Sequence, residues 1–247
     1  MSTDVAIITP VIFIAGLVRG TTGFAGPLIM VPVLGFFYSP VSAVAISTLV
    51  DLSSNVSLLG DALRQASRIT VASLICGALI TIPLGGYALL AFDATVIART
   101  MYAVVGFFSI VLLLGWQYKK PLSPKQYFGV GALSGVILGA TSFGITALPF
   151  LYSGTNTAAL GRANFILWAL FCALIGFAIV AIGGRVGAAE LWRALLLIPI
   201  YVVGTYLGNR VAKRIDDALL RRIVLVVLLA TAIAGLVVHT TQARAGG

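Results

Sequence analysis

Charge is scarce in this chain. Only 9% of its 247 residues are Asp, Glu, Lys or Arg, just seven are acidic, and there is one histidine. A soluble domain carries about 25% charged residues, so a water-soluble globular fold is excluded. Cysteine is nearly absent too. Cys76 and Cys172 both sit inside apolar runs, with no CxxC spacing and no histidine partner, which excludes a metal-ligand pair and leaves small buried packing residues as their reading. Phosphate-cradling loops, HExxH and nucleophile elbows are missing, and only one acidic residue, Asp51, lies deep in an apolar run. No catalytic constellation, cofactor or metal site is therefore expected. The N-terminus lacks a basic region followed by a small-residue cleavage site, so nothing is read as a removed signal. Strands of alternating polarity, the mark of an outer-membrane barrel, are absent as well.

What the chain does have is apolar sequence: 60% of it is hydrophobic, and the mean hydropathy is +1.10. This composition predicts an all-α polytopic membrane protein. The net charge of +9 does not point to nucleic acid, because the basic residues fall in short loops between apolar runs, where they orient a protein in the bilayer. Six apolar runs have the length of a span, about 20 residues each: Val41–Leu59, Ile69–Ala91, Val96–Trp116, Asn156–Ile182, Glu190–Asn209 and Leu219–Val238. Two further segments, Val5 to Tyr38 and Tyr127 to Tyr152, are too long for one span and are broken internally. The first breaks at Arg19–Pro27, the second at Gly139–Gly144. Paired Gly/Pro-interrupted apolar segments at matching places in two halves point to the substrate site of a transporter, since unwound backbone survives at membrane depth only where protein or a water-filled cavity satisfies it.

The halves match weakly. Gly16, Gly20, Thr22 and Phe24 correspond to Gly135, Gly139, Thr141 and Phe143 at one constant offset. Leu84, Gly85, Asp93 and Arg99 correspond to Leu207, Gly208, Asp216 and Arg222 at another. An internal duplication follows, with residues 1–120 and 121–247 as two repeats, each a broken hairpin and three spans in one transmembrane domain. Basic residues cluster at Arg64 and Arg68, at Lys119, Lys120 and Lys125, and at Arg210, Lys213, Arg214, Arg221 and Arg222. All three clusters share the cytoplasmic side only if the second broken segment enters and returns; the repeats are then inverted. Eight ordinary spans with a poor charge bias is the competing topology.

Each hairpin is expected to place two half-helices tip-inward. The second half-helix of the first hairpin is expected to start at Pro27, a favoured first-turn residue, and its N-terminus suits an anion. Candidate binding residues are Arg19, Thr21, Thr22, Gly23 and Phe24 at the first break, and Thr141, Ser142 and Phe143 at the second. Arg19 is a charge in an apolar segment, which is costly and usually functional. Its planar fork fits sulfonate, carboxylate or phosphate oxygens, although Asp51 is an equally available partner. Arg162, one turn before Asn164, either contacts substrate or anchors the helix at the interface; Asn164 joins it as a candidate. Ser47, Asp51, Ser54 and Asn55 fall on one helical face, and Asp51 is the candidate to carry a coupling proton. Trp168 is a candidate wall of the cavity.

The Gly-rich start with its later proline (Gly16 through Gly26 and Pro32), the run Ala43–Leu49, the basic loop Ala62–Ile69 and the stretch Gly204–Arg210 followed by Ile215–Asp216 and Leu220–Arg222 together resemble the sulfite exporter TauE/SafE family, the toluene-sulfonate uptake permeases. The resemblance covers nearly the whole chain. It implies a bacterial inner-membrane secondary transporter, more often an exporter, for sulfite, sulfoacetate or a related organosulfonate, with the lipid bilayer and a small anion as partners. Small-residue helix faces would also allow a homodimer. The chain departs from the family pattern at Thr22–Pro27, where a run of glycines is usual, and at Gly161–Asn164, where many members carry a Thr-Ser pair. An anion channel and a membrane docking subunit for a sulfur-metabolising enzyme are the alternative readings.

Overall fold

The computed structural model describes residues 2–114, 118, 120–152, 157–182 and 186–212, with positions 226, 229 and 233. The described residues are helical, without strands. In chain order the helices are α1 (Ser2–Thr22), α2 (Gly26–Phe37), α3 (Pro40–Gln65), α4 (Arg68–Ala91), α5 (Ala94–Leu113), α6 (Pro124–Thr141), α7 (Leu148–Leu151), α8 (Ala158–Ile182) and α9 (Ala188–Ala212), with a 3₁₀ turn at Ile145–Ala147 before α7. Among the described residues three stretches are long and apolar enough to cross a membrane: Arg68–Ala91, Ala159–Ile179 and Ala188–Val211. The predicted run Leu219–Val238 lies outside the described residues apart from positions 226, 229 and 233.

Helix ends follow local chemistry. Ser39, Ser67 and Ser123 each accept a backbone N–H three residues on and start α3, α4 and α6. At α6 Gln126 returns a bond to the backbone of Ser123, completing a reciprocal cap. Prolines sit in the first turns of α2, α3 and α6, where a missing N–H costs nothing.

Contacts between ends give the direction of each helix. The Ser42 hydroxyl at the start of α3 donates to Glu190 Oε1 at the start of α9, at 3.0 Å, so these helices set out from the same end. Asn164 near the start of α8 accepts from the Ser67 N–H just past the end of α3, at 2.7 Å, so α8 runs against α3. Helix α1 lies parallel to α9: the carbonyls of Phe13 and Leu17 abut Gly204 and Gly208. Helix α6 lies parallel to α4: Leu74, Ala78 and Ile82 abut Gly131, Gly135 and Gly139. Thus α1, α3 and α9 run one way, and α4, α6 and α8 the other. Each broken segment returns to the end from which it started. The exposed basic residues Arg64, Arg68, Lys120, Lys125 and Arg210 gather at the end where α3 and α9 finish and α4 and α6 begin.

Glycines make these two parallel crossings close. A Cβ on Gly20 would collide with the backbone of Thr205 and lie 2.8 Å from the Asn209 nitrogen; one on Gly139 would collide with Ile82 O and lie 3.0 Å from the Gly86 nitrogen. These are the glycines that correspond between halves in the sequence, and they meet corresponding residues of α9 and α4. Gly85 against Val136 and Gly208 against Leu17 form a second such pair. Backbone approach of this kind is how helices associate in lipid, where no hydrophobic force drives them together.

Three expectations need correction. The first arms of the hairpins are not half-helices: α1 has 21 residues and α6 has 18. No residue stops α1 before Gly23, because Gly20 is absorbed by the α9 crossing, so Arg19, Thr21 and Thr22 occupy the last turn of α1 rather than unwound chain. The second return arm is also shorter than expected, a 3₁₀ turn and the four residues of α7. It offers no helix N-terminus comparable with that of α2, which runs for 12 residues. Cys172 is buried as expected, but Cys76 is exposed, on a face of α4 turned away from α6.

Candidate functional site

The first break is held by a buried polar network. The Arg19 side chain is 1% exposed and its Nε lies 2.9 Å from Asp51 Oδ1. The Tyr201 hydroxyl of α9 donates to the same oxygen at 2.6 Å. Asn55 donates to Asp51 Oδ2 at 3.3 Å and accepts from Arg19 Nη2, while Arg19 Nη1 donates to the Gly23 carbonyl. One guanidinium thus ties together α1, α3 and the break itself, and Tyr201 adds α9. Gly26 is required beside it, since a Cβ there would collide with the Tyr201 hydroxyl. Of the two partners open to Arg19 in the sequence, Asp51 is the one it meets here. Tyr201 was not foreseen. Its only signal is a polar tip within an apolar run, one turn before Thr205.

The threonines of the breaks are also engaged. Thr21 and Thr22 both donate to the Val18 carbonyl at 2.8 Å, and Thr22 Oγ1 accepts from the N–H groups of Phe24 and Ala25 at 3.3 Å. Thr22 therefore caps the chain as it turns toward α2. Thr141 repeats the pattern, donating to Ile137 O at 2.6 Å and accepting from the Phe143 N–H at 3.2 Å. Ser142 adopts the left-handed conformation at φ 62°, which ends α6, and its hydroxyl lies 3.0 Å from that of Thr48 on α3. At the first break Gly23 has φ +83°, a conformation a side chain would strain.

Helix α8 carries one face past both breaks. Arg162 donates to Gly20 O at 3.1 Å and lies across Gly23, where a Cβ would come within 3.0 Å of its Nε. One turn on, Phe165 meets Phe24 edge-on, with ring centroids 6.1 Å apart. Phe165 also packs on Trp168 at 5.7 Å. A Cβ on Gly144 of the second break would sit 3.0 Å from Phe165 and 3.1 Å from Trp168. The two breaks, far apart in sequence, therefore meet on Arg162, Phe165 and Trp168. Phe143 and Trp168 are fully buried, so Trp168 is an interior wall. Asn164 points away from this face and holds the α3–α4 turn through Ser67. Among the described residues no group of His, Cys, Asp and Glu could hold a metal.

Long apolar helices around a buried, charged centre at which two broken segments converge define a helical membrane protein of the transporter class. The chain belongs to the sulfite exporter TauE/SafE family, whose sequence model matches residues 8–235. Members of that family are transporters rather than enzymes. No curated protein and no solved structure matches the chain.

Proposed function

We propose that this protein is a secondary transporter that exports a small sulfur-containing anion, sulfite or an organosulfonate such as sulfoacetate, across the bacterial inner membrane. The observation that carries this reading is the convergence of both breaks on one face of α8, beside the cation of Arg162. In this reading residues 1–120 and 121–247 are inverted repeats that rock against each other about the site. The opposed directions of α1 and α6, and the corresponding glycine crossings, support it. The three basic clusters mark the cytoplasmic side.

Arg162 counters the charge of the anion, Gly23 lets the ligand approach the backbone, and Phe24, Ser142 and Phe143 line the path. Arg19, Thr21, Thr22, Thr141 and Asn164 act mainly by positioning, holding the two breaks and the α3–α4 turn. Asp51, the acidic residue at the centre of the buried network, is the candidate to carry a coupling proton. Export needs no other drive where the interior is negative: roughly 2.3 kcal/mol per charge is available at about 100 mV.

Purified protein in liposomes should give saturable flux of sulfite or sulfoacetate and little flux of a plain carboxylate. Non-saturating anion currents would make it a channel. Absence of flux under every gradient would remove the transporter reading.

A further inference from the structure

Two buried polar atoms beside the second break have no hydrogen-bond partner among the described residues: Thr146 Oγ1 and Trp168 Nε1. Their residues are 1% and 0% exposed, respectively. Thr146 lies in the 3₁₀ turn that follows Gly144. Trp168 abuts Gly144 through Cζ3 of its benzo edge, which leaves the pyrrole edge and its N–H directed elsewhere in the protein interior.

At the first break Arg19, Asp51, Asn55, Tyr201, Thr21 and Thr22 bond one another or the backbone, while Arg19 Nε meets Asp51 as an ion pair and Thr205 Oγ1, beside Gly20, has no hydrogen-bond partner among the described residues. A serine or threonine hydroxyl on a helix can rotate to a carbonyl of its own helix. An indole N–H has no such recourse: it donates only, and when buried it normally has an acceptor. The Trp168 N–H is therefore the buried donor that lacks an acceptor among the described residues. At membrane depth the alternative to an acceptor is an uncompensated polar group.

We propose that Trp168 is an anion-binding residue whose indole N–H donates to an oxygen of the transported sulfur oxyanion, with the Thr146 hydroxyl as a flanking donor. This rests on the transporter reading above and assigns the ligand oxygens to the second break. Neutral donors suit such a ligand. A sulfonate or sulfite oxygen accepts without carrying a proton, and the charge is countered by Arg162, six residues earlier on α8.

Two measurements test the assignment. The chain has three tryptophans, so replacing Trp116 and Trp192 by Phe leaves Trp168 as the sole indole fluorophore. Titration with sulfoacetate should change its emission saturably, at concentrations matching the transport KM. In liposomes, Trp168→Phe should raise the KM for sulfoacetate about ten- to a hundredfold with little change in kcat, as expected for a hydrogen bond to a charged ligand. Thr146→Val, which keeps the shape of the side chain, should raise KM about tenfold. If wild-type transport is intact but both variants keep its KM and the emission ignores the anion, the assignment fails and the transporter reading stands. A fall in kcat at constant KM would make Trp168 a packing residue and also overturn it. If wild type moves no anion, both readings fall together.

Discussion

Asp51→Ala is expected to destabilise the protein by about 3–5 kcal/mol, the usual cost of leaving one member of a buried ion pair without the other. Arg19 is 1% exposed and cannot give up its proton, so its charge would lose its counter-ion at membrane depth. Tyr201 would lose its acceptor as well. Removing only that hydroxyl, in Tyr201→Phe, should cost about 1–3 kcal/mol, because Asp51 keeps Arg19 and Asn55. Replacing both ions with apolar residues of similar size, Arg19→Met with Asp51→Leu, should recover much of the loss. Thermal unfolding of the purified variants in one detergent gives the order. If Asp51→Ala unfolds no earlier than Tyr201→Phe, the pair does not hold the first break.

Gly20→Leu and Gly139→Leu should be damaging to a similar degree, each costing several kcal/mol. Even a Cβ at these positions would meet the backbone of α9 or α4, and backbone, unlike the end of a flexible side chain, cannot step aside. Parallel helices at these crossings would have to separate. Gly60 and Gly129 are the internal controls, since nothing lies within 4 Å of a Cβ there. Gly60→Leu and Gly129→Leu should leave thermal stability nearly unchanged. Equal losses at all four positions would mean that close crossing does not set the cost, since Leu is a better helix former than Gly and propensity alone would give a gain.

The two breaks were legible in the sequence because Gly and Pro interrupt apolar runs at corresponding places, and Pro27 marked the start of α2 to within a residue. The matched glycines were legible as a pattern, though not as contacts between α1 and α9 or between α4 and α6, since the pairing joins helices far apart in the chain. The length of α1 was misjudged because Gly20 and the threonines look like loop residues. Their polarity is absorbed locally, by bonds to Val18 and by the close fit to α9. Tyr201, Phe165 and the buried N–H of Trp168 could not be ranked from sequence. An aromatic residue in an apolar run faces lipid or protein according to how neighbouring helices rotate, and that is set by tertiary packing.

The most direct test of the account is two-sided labelling at the breaks. In a background free of Cys76 and Cys172, single cysteines at Phe24 and at Ser142 are exposed to a membrane-impermeant alkylating reagent from each face in turn, with and without sulfoacetate. An anion site shared by both breaks and opened alternately to the two sides predicts that each cysteine reacts from either face and that the anion protects both. Reaction from one face only, with no protection by the anion at either position, would contradict it.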